Sequence, residues 1–288
     1  MSTPGILITG STGQLGSSFR QVAHLFPGYD FQYASREDLP LDDMQKMREV
    51  FASVQPRYCI NCAAYTAVDK AEAEKEAAFK INAEAVGNIA KLCNEHHCRL
   101  IHISTDYVFN GTSAIPYREE DDINPLNVYG ASKAAGERSA LQYCPDTIII
   151  RTSWVFSEYG KNFVKTMISL MRSREEISVV NDQTGAPTYA PDLASAIMKI
   201  ISNGHWLPGI YHYSNAGKTT WFGFAEAIKQ MISSNCRINP IPSSAYPTPA
   251  QRPQYSLLNT DKIVSAYGLH IRDWKESLQE CVHKLQSV

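Results

Sequence analysis

The sequence predicts an α/β protein: a doubly wound parallel sheet, with a smaller C-terminal α/β region after it. Three observations carry this. Short apolar runs alternate with helical patterns through the first half of the chain. Those runs are almost continuously apolar, as strands covered on both faces must be. The first of them, "GILITG" (5–10), leads straight into a glycine-spaced turn that opens a helix.

That turn, "GSTGQLG" (10–16), places Gly10, Gly13 and Gly16 in GxxGxxG spacing. Glycines there allow a tight turn and close backbone approach, and the helix N-terminus behind them favours a pyrophosphate. This makes the sheet Rossmann-like and the turn a nucleotide site. The helix is expected from about Gly13 to His24. A second strand follows at 30–35. A helix at 42–54 has an aspartate at its start and apolar Met44, Met47, Val50, Phe51 and Val54 at helical spacing. A third strand is expected at 58–63, a long helix from about Glu74 to His96, and a fourth strand at 99–105. The next helix carries "NVYGASKAAGE" (127–137), and "TIIIRTS" (147–153) is a fifth strand. Beyond Trp154 the pattern loosens. Helices are expected at 161–172, 191–202 and 219–232, and a strand at 209–215. The stretch 239–255 holds five prolines and reads as a long irregular loop with a binding role, or as a linker. Two helical segments, about 259–267 and 273–286, end the chain. The domain boundaries are placed at 1–151 for the dinucleotide-binding domain and 152–288 for the substrate domain, with 189–215 free to return to the first.

Composition narrows the function. The chain has 288 residues, a formal net charge of −2, 44% hydrophobic and 19% charged residues. No global charge draws it to nucleic acid or to an acidic membrane, and no apolar run approaches a membrane span. The N-terminus lacks the basic region of a signal peptide. Seven scattered cysteines suggest reduced thiols and a cytoplasmic setting. Cys59 and Cys62 have CxxC spacing, but strand alternation would put them on opposite faces. They are read as buried small hydrophobes, and no metal site is assigned.

The end of the second strand bears on the nucleotide. An acidic residue there would hold a ribose 2′-hydroxyl, whereas this chain has Ser35 and Arg36, which suit a 2′-phosphate. NADPH is therefore expected over NADH, although Glu37 and Asp38 follow directly. Asp42 is the candidate for the adenine edge, and it also looks like a helix N-cap. Tyr129 and Lys133 stand four apart, on one helical face. A phenol with a pKa of ~10 is a poor acid–base group, and a nearby ammonium would lower it. Lys133 could do so while also holding ribose hydroxyls. Thr105 sits at a strand's carboxyl end, where open α/β sheets place ligands. The small residues Gly130, Ala131 and Ser132 would leave room for a nicotinamide. Arg252, in the proline-rich loop, pairs either with a diphosphate or with a surface carboxylate. Asp106 either orients a neighbouring group or caps a turn, and it is given no chemical step.

These motifs, with "NCAA" after the third strand, "STD" after the fourth and YxxxK, resemble the extended short-chain dehydrogenase/reductases. Within them, "AAYTAVDKAE", "STDYVFNG", "PLNVYGASKAAGE", "RTSWVF", "NDQTGAPT" and "SAYPTPAQRP" are similar to the dTDP-4-dehydrorhamnose reductase family over nearly the whole chain. The resemblance implies NADPH-dependent reduction of the C4 ketone of dTDP-4-dehydro-L-rhamnose. Tyr129 would be the proton donor, Thr105 would hydrogen-bond the C4 oxygen, and Lys133 would orient the nicotinamide ribose. It implies that the backbone of Gly13, Gln14 and Leu15 and the stretch Ala63, Ala64 and Tyr65 line the cofactor. Thr66, Val68, Tyr107 and Trp154 would face the sugar nucleotide. Family members pair as dimers through Mg²⁺ bound by glutamates, one of them just after the glycine turn. Here Ser17 and Ser18 stand there, which leaves the metal and a homodimer of that kind open. A related 4,6-dehydratase would carry an Asp-Glu pair after the threonine, but Asp106 and Tyr107 follow Thr105. A non-catalytic regulator, like the regulatory subunit of methionine adenosyltransferase, would be free to lose residues that this chain keeps.

Overall fold

The structure, a computed structural model, describes residues 3–287. In chain order the strands and helices are β1 (Gly5–Thr9), α1 (Gln14–Val22), β2 (Asp30–Ala34), α2 (Met44–Val54), β3 (Tyr58–Asn61), α3 (Val68–Ala71), α4 (Lys75–Phe79), α5 (Ala85–Glu95), β4 (Arg99–Thr105), α6 (Val128–Tyr143) and β5 (Ile148–Thr152). The second half contains β6 (Val155–Phe156), α7 (Phe163–Ser173), β7 (Glu176–Val180), β8 (Thr184–Gly185), β9 (Thr188–Tyr189), α8 (Ala190–Ser202), β10 (Gly209–His212), β11 (Thr219–Thr220), α9 (Trp221–Met231), β12 (Arg237–Ile241), α10 (Asp261–Tyr267) and α11 (Trp274–Gln286).

Six strands form one all-parallel sheet in the order β10-β5-β4-β3-β1-β2. Alternation along each strand feeds two separate cores. Ile6, Ile8, Ile60, Ile101, Ile148 and Ile150 pack with Phe19 of α1, Leu193 and Ile197 of α8 and Ile263 of α10. The intervening Leu7, Cys59, Leu100 and Ile149 pack on the other face with Met47 and Phe51 of α2, Val86 and Ile89 of α5 and Ala140 of α6. Burial on both faces is why these strands are apolar throughout. It also separates the CxxC pair: Cys59 lies in one core and Cys62 packs against the other. All seven cysteines are free thiols.

The second half closes around a third core, in which Phe156, Val164, Tyr189, Phe224, Ile228, Trp274 and Leu278 join α7, α9 and α11. Here the structure corrects the sequence reading. The expected irregular stretch 239–255 begins as strand, because β12 pairs in parallel with β7. β7 itself was not expected. Its burial alternates between exposed and buried, and its partner lies some sixty residues away in sequence. The strand at 209–215 is shorter, ending at His212, and it lies beside β5 at the edge of the main sheet. The long helix at 74–96 is continuous but contains a π turn at Lys80–Glu84. The N-cap of α2 is Asp43, whose carboxylate accepts from Lys46 N at 2.9 Å, and not Asp42.

Candidate active site

The glycine turn separates into two roles. Gly10 is left-handed (φ +62°), and a Cβ there would stand 2.8 Å from Ala63 Cα. A Cβ on Gly16 would stand 2.5 Å from Gly10 O. The fold itself demands both glycines. Gly13 differs: it is exposed, and a Cβ would meet only Gly10 O, at 3.3 Å. It is the N-cap of α1, and no side chain caps that first turn. The Gly13 N–H is taken by Gly10 O (3.0 Å), and the uncapped N–H groups after it, with an open face, fit a pyrophosphate. Leu15 is buried in the core, so only its backbone is available there. The Gln14 side chain is a tether, accepting from Ser157 Oγ (3.0 Å) and Asn162 Nδ2 (2.9 Å).

At the end of β2, Ser35 Oγ accepts from the N–H groups of Glu37 and Asp38, and Asp38 accepts from Ser35 N at 2.9 Å. The Ser35 contacts hold the Asp38 carboxyl below its usual range. Arg36 is exposed and has no carboxylate partner among the described residues. Asp42 is exposed and 3.6 Å from Lys80 Nζ. Ala63 N donates to Thr9 Oγ1 (3.3 Å), and Tyr65 N donates to Asn82 Oδ1 (2.8 Å). Asn82, buried in the π turn, also donates to Tyr65 O and Ser132 Oγ, both at 3.0 Å. It thereby clamps the 63–65 stretch to α6. Sequence reasoning missed Asn82, and a π turn, which often marks a functional site, leaves no periodic signal.

Thr105 ends β4 and caps a short 3₁₀ turn (Asp106–Val108), accepting from Tyr107 N at 3.2 Å and donating to Asp106 Oδ1 at 3.0 Å. Asn127 caps α6 through Gly130 N (2.8 Å), and its amide holds Gln251 O (2.8 Å). A Cβ on Gly130 would stand 2.1 Å from Tyr107 O, and one on Gly136 would stand 2.0 Å from Asn82 O. Gly130 and buried Ser132 therefore seat α6 against the 3₁₀ turn and the π turn. At these two positions small size serves the packing of α6. Tyr129 meets Tyr107 edge-on at 5.9 Å.

The electrostatics also differ from the sequence reading. Burial pushes the Tyr129 phenol up to about 12; the Thr105 hydroxyl acts against this and Asp106 adds to it. Lys133 does not lower it in this state. Its Nζ donates to Ile103 O at 2.6 Å and lies 3.5 Å from His102 Nε2. Burial brings Lys133 down to about 8, against the pull of Glu137 and Cys62.

Asp106 is buried, and its Oδ2 has no hydrogen-bond partner. Burial raises its carboxyl to about 7, although Ser256 and Thr105 favour the ionised form. An acid with a raised folded pKa binds its extra proton in the native state, so it stabilises at low pH. That contribution is lost as pH rises from the ordinary 3.8 through about 7. Asp106→Asn is thus expected to gain stability relative to wild type between about pH 4 and about pH 8. Urea midpoints across that range check this, and a constant difference would refute it.

On the substrate side, Trp154 is left-handed (φ +46°) and stacks on Trp221 at 3.7 Å. Gly185 is required beneath it, since a Cβ would stand 2.8 Å from the indole. Thr66 is exposed, and Val68 starts α3 half-buried. Arg252 takes the carboxylate option: it forms a paired contact with Asp69 at 2.8 and 3.1 Å, tying the proline-rich loop to α3. That loop walls a cavity of about 730 Å³, whose lining includes Asn110, Gln183, Tyr246 and Arg252. Among the described residues, no cluster of three His, Cys, Asp or Glu side chains could hold a metal ion.

Residues 4–287 match the family model described as RmlD substrate binding domain. The chain belongs to this family. Members with similar sequences include the dTDP-4-dehydrorhamnose reductases of Aggregatibacter actinomycetemcomitans and Escherichia coli (strain K12). The first is 40% identical, with 95% of this chain and 97% of the relative covered. The second is 41% identical, with 97% of each covered. The crystal structure of dTDP-4-dehydrorhamnose reductase from Bacillus anthracis str. Ames, in complex with NADP, superposes with a TM-score of 0.94 at 38% identity. It covers 98% of this chain and 100% of that one.

Proposed function

We propose that this chain reduces the C4 ketone of dTDP-4-dehydro-L-rhamnose with NADPH, yielding dTDP-L-rhamnose in the last step of dTDP-rhamnose biosynthesis. The observation that carries the reading is Thr105 and Tyr129 side by side at the carboxyl edge of the sheet, on the same edge as the bare N-terminus of α1. In the related protein from Bacillus anthracis that nucleotide is NADP.

NADPH, when bound, supplies the hydride that adds to C4. The chain's own residues do the rest. Tyr129, with its phenol at about 12, stays protonated at neutral pH and gives its proton to the C4 oxygen. Thr105 turns its hydroxyl to that oxygen as charge grows on it. Lys133 holds the ribose hydroxyls. The backbone of Gly13, Gln14 and Leu15 takes the pyrophosphate, and Ser35 with Arg36 takes the 2′-phosphate. Ala63, Ala64 and Tyr65 line the cofactor, and Asp42 reaches the adenine. Thr66, Val68, Tyr107 and Trp154 face the sugar nucleotide, and Arg252, while paired with Asp69, also lines the cavity walled by the proline-rich loop and reaches the substrate from there. The dinucleotide-binding domain is residues 1–151 with 189–215, the remainder of 152–288 forms the substrate domain, and the enzyme works in the cytoplasm.

The test mixes the protein with dTDP-4-dehydro-L-rhamnose and NADPH and follows the reduced-nicotinamide absorbance. Stoichiometric oxidation is expected, with NADH at least ~10-fold poorer in kcat/KM for want of the 2′-phosphate contacts. NADPH binding without oxidation would overturn the reductase reading and favour a non-catalytic regulator.

A further inference from the structure

A buried polar chain runs from β1 across the sheet to Lys133. Thr9 Oγ1 accepts from Ala63 N (3.3 Å), which leaves its hydrogen for Asn61 Oδ1, 2.6 Å away. The amide oxygen of Asn61 is thereby committed to Thr9, and its Nδ2 faces His102 Nδ1 at 3.1 Å. An amide nitrogen only donates, so with the amide oriented this way Nδ1 accepts and the ring hydrogen belongs on Nε2. Burial and neighbouring Lys133 hold His102 well below the usual imidazole range, so the ring is neutral. Nε2 points at Lys133 Nζ from 3.5 Å, and Nζ itself donates to Ile103 O. Thr9, Asn61, His102 and Lys133 are all 2% exposed or less.

A lysine ammonium there would meet the imidazole N–H donor against donor. A free amine would meet it with its lone pair. We propose that His102 is a positioning residue for Lys133: Thr9 and Asn61 set its tautomer, and its Nε2 hydrogen opposes the Lys133 ammonium in the cofactor-free protein. The proposal rests on the reductase reading for the role of Lys133. The other groups around Lys133 are Glu137 one turn on, which favours the charge, the neutral Cys62 thiol just after β3, and Tyr129 one turn back on α6. Glu137 is itself held by Arg151 and Ser104. Ribose hydroxyls offer the ammonium acceptors that the imidazole does not. Above about pH 8, where the free amine is populated, binding of NADPH therefore draws a proton onto Lys133.

The tautomer is read directly from long-range ¹⁵N–¹H spectra of the histidine rings in the cofactor-free protein, with His102 assigned by its loss in His102→Met. An Nε2-protonated ring that does not titrate around neutral pH is expected. An Nδ1-protonated or titrating ring overturns the proposal. Thr9→Val, nearly isosteric and so tolerant of folding, frees the Asn61 amide to turn and should admit the Nδ1 tautomer; an unchanged ring would remove Thr9 from the chain. Calorimetry of NADPH binding in buffers of different ionisation enthalpy supplies the second readout. Wild type should take up protons from about pH 8 upward. In a folded, NADPH-binding His102→Met protein that onset should move up by about one unit, the worth of one hydrogen bond. An unmoved onset refutes the proposal. Turnover with the wrong tautomer would fail this inference alone, and the right tautomer without turnover would fail the reductase reading alone.

Discussion

Tyr129→Phe is expected to bind NADPH as wild type does and to lose about 10²–10⁴-fold in kcat. The ring would keep its edge-on contact with Tyr107 and its place in α6, whose cap and close packing are made by Asn127 and Gly130. Only the phenol hydroxyl is removed. The residue as a whole is half-buried, but loss of water around its hydroxyl pushes the phenol up to about 12, so it is protonated at neutral pH. It serves the reductive direction as an acid whose proton is always in place, and water must replace it in the variant. Single-turnover measurements at saturating NADPH isolate the step. A rate within about twofold of wild type would remove Tyr129 as the acid.

Arg151→Met is expected to cost about 3–5 kcal/mol of stability. Arg151 and Glu137 form a paired contact of 2.9 and 2.8 Å with their side chains 2% and 4% exposed. Ser104 donates to Glu137 at 2.5 Å, and the guanidinium lies 5.1 Å from the Phe109 ring centre. The group joins β4, β5 and α6 one turn beyond Lys133, directly beneath the reactive edge. Removing one partner strands a carboxylate in the dry interior, and that stranding is the source of the loss. The double variant Arg151→Met with Glu137→Leu leaves no unpaired charge and should recover most of it. Denaturant unfolding of the single and double variants measures both effects. A loss below about 1 kcal/mol in the single variant would show that the pair is unimportant to the fold.

Much of the first half was legible because local periodicity and global burial agree there. "RLIHIST" became β4 over the expected residues, and the apolar runs of β1, β3 and β5 mark strands covered on both sides. The second half was less legible for a physical reason. β7 buries only alternate residues, and its partner β12 carries a proline, so neither signals a strand until the two are paired. Buried polar residues were the other blind spot. Asn82, His102, Glu137 and Arg151 are ordinary surface residue types, and nothing in their spacing announces that they lie inside.

The sequence by itself determined the parallel sheet and the glycine turn, because each depends on residue type at short range. Tertiary structure alone decided what the site residues do at rest. It spends Gly130 and Ser132 on helix packing and Arg252 on Asp69, and it turns Lys133 toward Ile103 O and His102. It raises the Tyr129 phenol where a neighbouring ammonium was expected to lower it. Desolvation accounts for that reversal: whether a charge can help its neighbour depends on how much water both have lost, and burial is a property of the whole fold.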